Sequence, residues 1–370
     1  MATALYRLYR PKKLADLLGQ EQVTTVLQNA AAADKIGHAY LLYGTRGTGK
    51  TTAARILAKI CCCATRQKDA KFRAKGEPCN TCDPCTEIDS GRSVDVIEID
   101  AASNNKVEQV RELIEGARLS PASYVRKVII LDEVHMLALS RGSFNALLKT
   151  LEEPPAHLVF IMATTELDKV PATIASRCQR FHFRRLPIDF IIEKLTSIIK
   201  SEKLKVDAEA IELLAALGDG SLRDAESLLA QITSLNDAVT ADIIEKHLGR
   251  LGFNRVAGLA QLILEKKLPE CLAQVSKLHE EGHNIVDLTK QLIHYFRRLL
   301  TLTYNPDLES LFKQELTGKE LTELRKQVAL IDPARHIPLI KALITSYSQM
   351  RYSPFPTIPL EVAIIEQLKS

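Results

Sequence analysis

Short apolar runs and helix-like stretches alternate along the first half of the chain. The runs lie at 39–43, 94–100, 128–131, 158–163 and 180–183, and helical patterns occupy intervening stretches such as 52–60, 107–117 and 143–151. Runs rich in apolar residues, of which those at 39–43, 128–131 and 158–163 are uninterrupted, are typical of buried strands in a parallel sheet. Strands that alternate with helices imply a sheet covered by helices on both faces. We therefore predict an α/β core over residues 1–185.

Beyond Pro187 the strand pattern disappears and only helical periodicity continues. Four helices are predicted at 188–203, 208–217, 222–235 and 241–248, and a further series at 256–266, 268–281, 285–301, 308–311, 317–330, 337–351 and 360–368. The chain therefore divides into the α/β core, a small helical domain over 186–250 and a larger helical domain over 251–370.

A glycine-rich segment, GTRGTGKT at 44–51, lies between the first strand and the next helix. Its glycines let successive backbone N–H groups point inward at an anion, Lys50 can reach the β/γ-phosphates, and the Thr51 hydroxyl can ligate Mg²⁺. The helix adds the positive end of its dipole. The context favours a nucleotide site over a chance glycine turn. Its predicted members are Gly44, Thr45, Arg46, Gly47, Thr48, Gly49, Lys50, Thr51 and Thr52.

Two acids, Asp132 and Glu133, directly follow the apolar run at 128–131. Beside a phosphate-binding loop, one acid at a strand end holds the Mg²⁺ shell and a second polarises the attacking water. We assign these roles to Asp132 and Glu133 respectively. Acids also commonly end strands without any such role, which would account for one of the two. Thr165, after the next strand, can place a hydroxyl beside this pair, although a threonine there is usually a turn residue.

Two arginines, Arg177 in SRC and Arg223 in GSLRDA, have no obvious carboxylate partner on a helix. The planar, permanently charged guanidinium suits a polyphosphate. Spacing alone favours a nucleotide role only slightly over a surface salt bridge. Near the start of the chain, Arg10 and Pro11 are candidates to line the nucleotide base, and a surface arm is the alternative.

Six of the eight cysteines fall between Cys61 and Cys85. The run CNTCDPC supplies Cys79, Cys82 and Cys85, and a fourth thiolate returned by a loop would complete a tetrahedral Zn²⁺ site. We assign the fourth position to Cys63, with Cys61 and Cys62 as competitors. Four thiolates leave no open position, so the site is structural. An iron–sulfur cluster is the alternative that spacing leaves open. Cys178 and Cys271, in apolar contexts, are interpreted as inert core thiols.

Basic residues that could meet a nucleic-acid phosphate include Lys106 and Arg111. Asn105 and Glu108 predict a capping box at the start of their helix. The exposed N–H groups of that helix could then bind a phosphate, and capping alone is the alternative.

Composition agrees with a multidomain globular protein. The 370 residues are 46% hydrophobic and 25% charged, with a net charge of +4 that neither demands nor excludes nucleic acid. This length suggests two or three domains. No apolar run reaches membrane-spanning length and the first residues lack a signal-peptide core, so we expect a cytoplasmic protein without a membrane partner. In that compartment, clustered cysteines favour a metal over disulfides.

Several segments together closely resemble the gamma/tau subunits of bacterial DNA polymerase III clamp loaders. They are YRPKKLADLLGQ at 9–20, HAYLLYGTRGTGKT at 38–51, the four-cysteine insertion, EIDAAS at 98–103, DEVHML at 132–137, FNALLKTLEEPP at 144–155, ATTELDKVPATIASRCQRF at 163–181 and GSLRDA at 220–225. The resemblance is dense to about residue 250. Beyond it, PTIPLEVAIIEQL at 356–368 is similar to the last collar helix of that family.

The resemblance implies an AAA+ ATPase core with a zinc-binding insertion at 61–88, a helical lid over 186–250 and a helical collar over 251–370 that assembles a five-subunit ring. Thr165 falls on the first sensor and Arg223 on the second. Arg177 falls on the arginine that reaches into the neighbouring subunit's site. Cys63, Cys79, Cys82 and Cys85 match the zinc module.

The implied function is an ATP-hydrolysing motor that opens the sliding clamp and loads it onto primer–template DNA during chromosomal replication. Expected partners are the clamp, that DNA and other clamp-loader subunits, including copies of this chain; expected cofactors are ATP, magnesium and zinc. Two alternatives are kept: a nucleotide-binding scaffold subunit with little turnover, and a related AAA+ ring helicase. The intact Lys50, Thr51, Asp132 and Glu133 disfavour the first. The cysteine insertion and the collar disfavour the second.

Overall fold

The computed structural model describes residues 4–140, 142–248, 251–313, 315–350 and 352–369. Contacts within these ranges divide the chain into two compact units. The first consists of residues up to Leu186 together with Ser221–Arg223. The second consists of Pro187–Gly220 and the residues from Asp224 onward.

A five-stranded parallel sheet forms the centre of the first unit. Its strands are β1 Ala39–Gly44, β2 Val96–Asp100, β3 Lys127–Asp132, β4 Leu158–Thr164 and β5 Gln179–Phe183. The strand order is β2-β3-β4-β1-β5, with every neighbouring pair parallel. Because carboxyl ends of parallel strands share one edge, the loops after β1, β3 and β4 lie along the same side of the sheet. The predicted α/β fold is confirmed.

Helices cover both faces of this sheet. The helices described in this unit are α1 Leu5–Leu8, α2 Glu21–Ala32, α3 Lys50–Cys62, α4 Ala64–Lys68, α5 Ala70–Arg73, α6 Asp83–Ser90, α7 Val107–Arg118, α8 Ser143–Glu152 and α9 Ala172–Ala175, with 3₁₀ turns at Leu14–Asp16, Val134–Leu139 and Leu167–Lys169. On one face, Leu42 and Ile130 pack with α2 and α3 in one apolar core. On the other, Leu41 and Ile129 pack with α7 and α8 in a second core.

The prediction of a buried strand over 94–100 is wrong in two respects. The strand begins at Val96, and its residues are half-buried or exposed. Its position explains this, because β2 is an edge strand that pairs only with β3. The central β4, in contrast, is buried along its whole length. An apolar run predicts a strand, but its position at the centre or the edge of the sheet depends on contacts with distant parts of the chain. That position determines how deeply the strand is buried.

The second unit is largely helical, as predicted. Its helices are α10 Ile188–Glu202, α11 Ala208–Leu217, α12 Leu222–Leu235, α13 Ala241–Leu248, α14 Phe253–Leu264, α15 Leu268–Glu280, α16 Ile285–Tyr304, α17 Glu309–Phe312, α18 Gly318–Val328, α19 Pro333–Met350 and α20 Thr357–Lys369, with a 3₁₀ turn at Pro306–Leu308. The helices after residue 251 share one apolar core built on α14, α16 and α19. Two strands that the sequence pattern missed, β6 Lys205–Val206 and β7 Ala238–Val239, pair in parallel. Two residues are too few to show an alternating pattern.

The division of the helical region into a lid and a collar stays a prediction. Apart from Leu186 and Ser221–Arg223, which belong to the first unit, both predicted domains lie within the second unit. Residues 249 and 250, at the predicted boundary, lie outside the described residues, as does residue 351, the predicted end of the helix that is observed as Pro333–Met350.

Candidate functional site

The glycine-rich segment forms the turn between β1 and α3. Gly44 has a φ of +144° and a Cβ there would lie 2.0 Å from the carbonyl oxygen of Phe183, so only glycine fits at the end of β1. Gly49, at φ +102°, is the N-cap of α3. No hydrogen bond among the described residues uses the backbone N–H groups of Arg46, Gly47 or Gly49. These donors, at a helix N-terminus, form a cradle that suits an anion such as a phosphate.

Lys50 is the first residue of α3 and is only 5% exposed. Its Nζ donates to the carbonyl oxygens of Gly44 at 2.9 Å and Thr45 at 2.8 Å, so the ammonium group lies over the loop. Burial lowers the pKa of Lys50, and the carboxylates of Glu133 and Asp132 oppose that shift. The lysine is therefore held where phosphate oxygens would accept from it.

The other predicted loop residues surround this cradle. Thr45 and Arg46 are exposed at its tip. Thr48 is buried and donates through Oγ1 to the carbonyl of Thr45 at 2.9 Å, which closes the turn. Thr52 is half-buried in the first turn of α3.

The structure joins the loop to the acid pair through Thr51 and Asp132. The Thr51 hydroxyl donates to Oδ2 of Asp132 at 2.7 Å, across 81 residues of sequence. Oδ1 of Asp132 accepts from the backbone N–H of Glu133 at 2.9 Å. A hydroxyl and a carboxylate at this distance are hard oxygen ligands of the type that Mg²⁺ binds together with substrate phosphates. The residues present therefore fit a magnesium ion at this position.

Glu133 has a left-handed backbone, with φ at 48° and ψ at 45°. This conformation is uncommon for residues other than glycine and is often found at functional sites. Its Oε2 accepts from the hydroxyl of Thr165 at 2.9 Å and from the Thr165 backbone N–H at 3.2 Å. Glu133 and Thr165 are thus in direct contact, one following β3 and the other following β4.

His135, which had no predicted role, extends this network. Its Nδ1 lies 3.0 Å from Oγ1 of Thr164 and 3.4 Å from Oε2 of Glu133, and its Nε2 lies 3.3 Å from Glu166. Glu166 also pairs with Lys169 at 2.7 Å. The signal that could have found His135 is a buried polar residue inside the apolar stretch VHML, two positions after Glu133.

Arg55 and Glu98 form a second contact that was not predicted from the sequence. Nε of Arg55 donates to Oε2 of Glu98 at 2.6 Å and Nη2 to Oε1 at 2.8 Å, a bidentate pair between α3 and β2. A glutamate within the apolar run VDVIEID was its only sequence signal.

Arg10 and Arg223 also lie in the first unit. Burial lowers the pKa of the half-buried Arg10, and the charge of Arg55 adds to that effect. The guanidinium of Arg223 lies 5.0 Å from the ring centroid of Tyr6, a cation–π distance. Pro11 is half-buried. No base-lining contact follows from these positions, and that role stays a prediction.

Arg177 is separate from these groups. Its Nη2 pairs with Oε1 of Glu152 at 2.6 Å, and its Nη1 donates to the carbonyl of Thr173 at 2.6 Å. Glu152 is the last residue of α8, so the prediction that Arg177 has no carboxylate partner on a helix is wrong. The pair is formed by tertiary contact, 25 residues apart, which helical spacing cannot reveal.

The predicted capping box at Asn105 and Glu108 is also wrong. Helix α7 begins at Val107 with Lys106 as its N-cap, and no side chain caps it. The carbonyl of Asn105 instead accepts from the hydroxyl of Ser143 at 3.0 Å. Since no side chain caps α7, contact of Lys106, Arg111 and the first N–H groups of this helix with a nucleic-acid phosphate stays a prediction.

Four cysteines come together in the insertion after α3. The sulfur atoms of Cys63, Cys79, Cys82 and Cys85 all lie within 4.8 Å of one another. Cys79 and Cys85 are 4.0 Å apart at sulfur, and Cys82 and Cys63 are 3.9 Å apart. Four thiolates around a tetrahedral Zn²⁺, at the usual Zn–S distance of about 2.3 Å, lie about 3.8 Å apart. The cluster therefore fits a zinc ion.

Backbone donors surround these sulfur atoms. The N–H groups of Thr81 and Cys82 donate to Sγ of Cys79 at 3.4 and 3.2 Å. The N–H of Cys79 donates to Sγ of Cys63 at 3.5 Å. A hydrogen bond from Cys85 lowers the pKa of Cys63, and the same contact raises the pKa of Cys85.

The remaining cysteines lie apart from the cluster. Cys61 and Cys62 are buried in α3, where burial raises the pKa of Cys61 to about 12 and also raises that of Cys62. The structure therefore separates Cys63 from its two competitors. Cys178 and Cys271 have pKa values raised to about 11 by burial, typical of unreactive thiols. Among the described helices, none combines the length and apolar character needed to cross a bilayer.

Three family models match consecutive parts of the chain. They are "DNA polymerase III, delta subunit" over 19–187, "DNA polymerase III clamp loader subunit, ATPase lid domain" over 190–235 and "DNA polymerase III subunits gamma and tau domain III" over 239–369.

Curated relatives agree with these matches. DNA polymerase III subunit tau of Bacillus subtilis is 40% identical over 98% of this chain and 62% of its own length, and that of Escherichia coli is 37% identical over 98% and 55%. The chain therefore spans less than two thirds of either tau protein. Subunit gamma of Buchnera aphidicola from Acyrthosiphon pisum is 34% identical over 99% of this chain and 98% of its own length.

A solved structure, the Bacillus subtilis DNA clamp loader delta protein, is 16% identical and covers 94% of this chain and 99% of its own, with a TM-score of 0.41. That score is too low to support an argument about function.

Proposed function

The chain belongs to the family of DNA polymerase III gamma and tau subunits, and we propose that it is the ATP-hydrolysing motor subunit of a clamp loader. The observation that carries this proposal is the joining of three loops at one edge of the sheet. Thr51 of the glycine-rich loop contacts Asp132 after β3, and Glu133 beside it contacts Thr165 after β4. This arrangement supplies a phosphate cradle, a cation ligand pair and an acid next to each other.

Each residue takes one role in this proposal. The N–H groups of the loop and Lys50 bind the β- and γ-phosphates, and Thr51 with Asp132 would hold Mg²⁺, which neutralises charge on those phosphates when bound. Glu133 accepts the proton of the attacking water. Its three contacts within the described residues all go to Oε2, so Oε1 is the oxygen available to that water. Thr165 keeps the carboxylate in place.

Arg177 is proposed to act on a neighbouring subunit's nucleotide. Its own partners are Glu152 and Thr173, and neither belongs to the loop or the acid pair. An arginine supplied across an interface makes turnover depend on assembly. Arg223 is proposed to sense the nucleotide from the same chain. On this basis the isolated chain hydrolyses ATP weakly.

The partners follow from the family. The proposal is that ATP binding assembles this chain with other clamp-loader subunits in a five-membered ring, that the ring opens a sliding clamp, and that hydrolysis releases the clamp on primer–template DNA. The proposed location of this activity is the cytoplasm. Zn²⁺ held by the four cysteines is proposed to be structural.

Replacing Glu133 by Gln tests the proposal. ATP turnover by the assembled loader, with clamp and primed DNA, should fall by about 10² to 10⁴, the range that general bases contribute, while nucleotide affinity stays within about twofold because the loop is unchanged. Unchanged turnover would favour the scaffold alternative. A strand-separation assay distinguishes the helicase alternative, for which DNA unwinding should be measurable.

A further inference from the structure

A buried carboxylate of the cysteine insertion binds the N-terminal part of the chain. We call residues 63–85 the zinc module and residues 10–17 the arm. Oε2 of Glu77 accepts from the backbone N–H of Leu14 at 2.8 Å, and Oε1 accepts from that of Ala15 at 2.9 Å. Oε1 also accepts from Gln28 at 2.7 Å. Glu77 is 9% exposed, so these three donors are what compensate its buried charge.

A second contact lies three residues further along the zinc module. Nδ2 of Asn80 donates to the carbonyl of Lys12 at 3.1 Å, and its Oδ1 accepts from Nζ of Lys59 at 2.7 Å. Lys59 belongs to α3, is 1% exposed, and also pairs with Asp89 at 3.0 Å. The zinc module thus holds the arm at Lys12, Leu14 and Ala15. The residues that make these contacts, Glu77 and Asn80, lie on either side of Cys79 in the sequence.

The arm in turn lies beside the phosphate loop. Leu14 is fully buried, and Leu17 is buried with its Cδ2 3.4 Å from the position that a Cβ on Gly49 would take. Gly49 is the N-cap of α3, directly before Lys50. Arg10, at the other end of the arm, is half-buried beside Arg55. The hydrogen bonds of Glu77 and Asn80 therefore join the cysteine insertion to the arm, and Leu17 of the arm lies next to Gly49 of the loop.

The zinc module is itself docked firmly. Arg66 is buried and donates to the carbonyls of Ile60 at 3.2 Å, Arg73 at 3.1 Å and Ala31 at 2.8 Å, which ties the module to α2 and α3. Gly76, at φ +68°, approaches so closely that a Cβ there would lie 2.4 Å from the carbonyl oxygen of Gln28. The buried hydrophobic residues of the module are Cys63 and Cys85, so a metal held by the four cysteines would add a second constraint on the segment that carries Glu77 and Asn80.

We propose that Glu77 and Asn80 are positioning residues for the nucleotide site, and that metal binding at the cysteines is coupled through the arm to nucleotide affinity. This inference rests on the proposed nucleotide site. When Glu77 accepts its hydrogen bonds from Leu14 and Ala15, the arm is ordered before the nucleotide binds. Nucleotide binding then does not carry the entropic cost of ordering the arm. Coupling of this kind is reciprocal: bound nucleotide raises the affinity for zinc by the same factor by which zinc raises the affinity for nucleotide.

The test replaces Glu77 by Gln in the full chain. An amide in place of the carboxylate presents N–H donors to one of the backbone N–H groups, so at least one arm contact is lost. The matched control is Asp69→Asn, the same chemical change in the same module. Asp69 is exposed, and its Oδ1 accepts only from Lys71 and Phe72, within the module.

Three measurements are made on wild type and both variants. Hydrogen exchange of the arm peptide, read without nucleotide, should be faster in E77Q by about tenfold or more and unchanged in D69N. The dissociation constant of a fluorescent ADP analogue should rise about tenfold in E77Q alone, in the usual range of coupling between sites. Zinc content by elemental analysis should stay near one per chain in all three. Removing zinc from wild type with a chelator should reproduce the E77Q changes.

A second variant covers the case that E77Q does not fold. Asn80 has a φ of +60°, so Asn80→Gly removes the side chain without straining the turn. This variant should also show faster hydrogen exchange of the arm and weaker binding of the ADP analogue, with smaller changes than in E77Q. A looser arm with unchanged ADP affinity would overturn the coupling, and unchanged exchange in both variants would overturn the positioning role. Failure of wild type to bind ADP would instead overturn the proposed function, and the exchange data would still decide whether Glu77 holds the arm.

Discussion

The hydroxyl of Thr165 donates a 2.9 Å hydrogen bond to the carboxylate of Glu133, a residue with a left-handed backbone. The two residues follow neighbouring parallel strands and are 32 positions apart in sequence. The contact means that the proposed base is held by its neighbour before a nucleotide binds. A strained backbone and a side chain fixed at one oxygen are what a preorganised acid–base site requires.

Thr165→Val removes that hydroxyl donor with almost no change in shape. The hydrogen bond to a charged group is worth roughly 1.5–3 kcal/mol, so kcat of the assembled ATPase should fall roughly ten- to a hundredfold, while KM for ATP stays nearly constant. Steady-state kinetics with clamp and primed DNA measure both. Thr86→Val, which removes only a local bond to the carbonyl of Asp83, is the control. Equal kcat in the two variants would contradict the role of Thr165.

His135 should support Glu133 from the side. His135→Leu removes the contacts to Thr164, Glu133 and Glu166, so kcat should fall about tenfold, the upper end for a neutral hydrogen bond. His135→Asn places a polar group near the position of Nδ1 and should recover part of that loss. Nucleotide affinity, measured by fluorescence, should be unaffected in both. If the two variants lose the same activity, packing and not hydrogen bonding explains the effect.

Arg177→Ala should abolish most ATP turnover in the assembled loader without weakening nucleotide binding by the isolated chain. In loaders assembled from a mixture of Lys50→Ala and Arg177→Ala chains, the first supplies an intact arginine to the second, so part of the activity should return. The control is Glu152→Gln, which removes only the in-chain partner. Because that pair is substantially exposed, its loss should cost at most about 1 kcal/mol of stability. Failure of the mixture to recover activity would contradict action across an interface.

Zinc binding should depend on Cys63 and not on its neighbours in α3. Purified wild-type chain should contain about one zinc, Cys63→Ser should lose it, and Cys61→Ser should keep it, because Cys61 is buried in the core. Elemental analysis and circular dichroism check metal content and fold together. Iron in place of zinc, or a folded wild-type chain without metal, would refute the assignment.

The helical region after residue 251 should lose stability in acid through His336. This residue is buried against Phe296 at 6.1 Å between ring centroids, and burial lowers its pKa although its bond to Asp332 opposes the shift. The unfolded chain, with a histidine pKa of about 6.5, therefore takes up a proton first, so stability present above that pH is lost as pH falls towards the folded pKa.

Urea unfolding at about pH 7.5 and about pH 5.5, on either side of that ordinary pKa, measures this loss. In His336→Gln the decrease between the two pH values should be smaller than in wild type. An identical decrease would show that other groups account for the acid sensitivity.

Local pattern was sufficient for much of this protein. Apolar runs and helical periodicity predicted all five strands of the sheet and most of the helices, and the glycine-rich segment, the acids after β3 and the CNTCDPC run pointed to the two sites. These features depend on residues close together in the chain, where spacing translates directly into turns, faces and strand ends.

Tertiary structure decided what depends on distant residues. The exposure of β2 follows from its edge position, and the pairing of Arg177 with Glu152 from the packing of separate elements. Helix α3 ends at Cys62, so Cys63 lies just beyond the helix and joins the cysteine cluster, whereas Cys61 and Cys62 stay buried in the core. Glu77 meets Leu14 across 63 residues. No pattern in a single sequence records such contacts, since they form only when the sheet brings its loops to one edge and the zinc module folds back onto the arm.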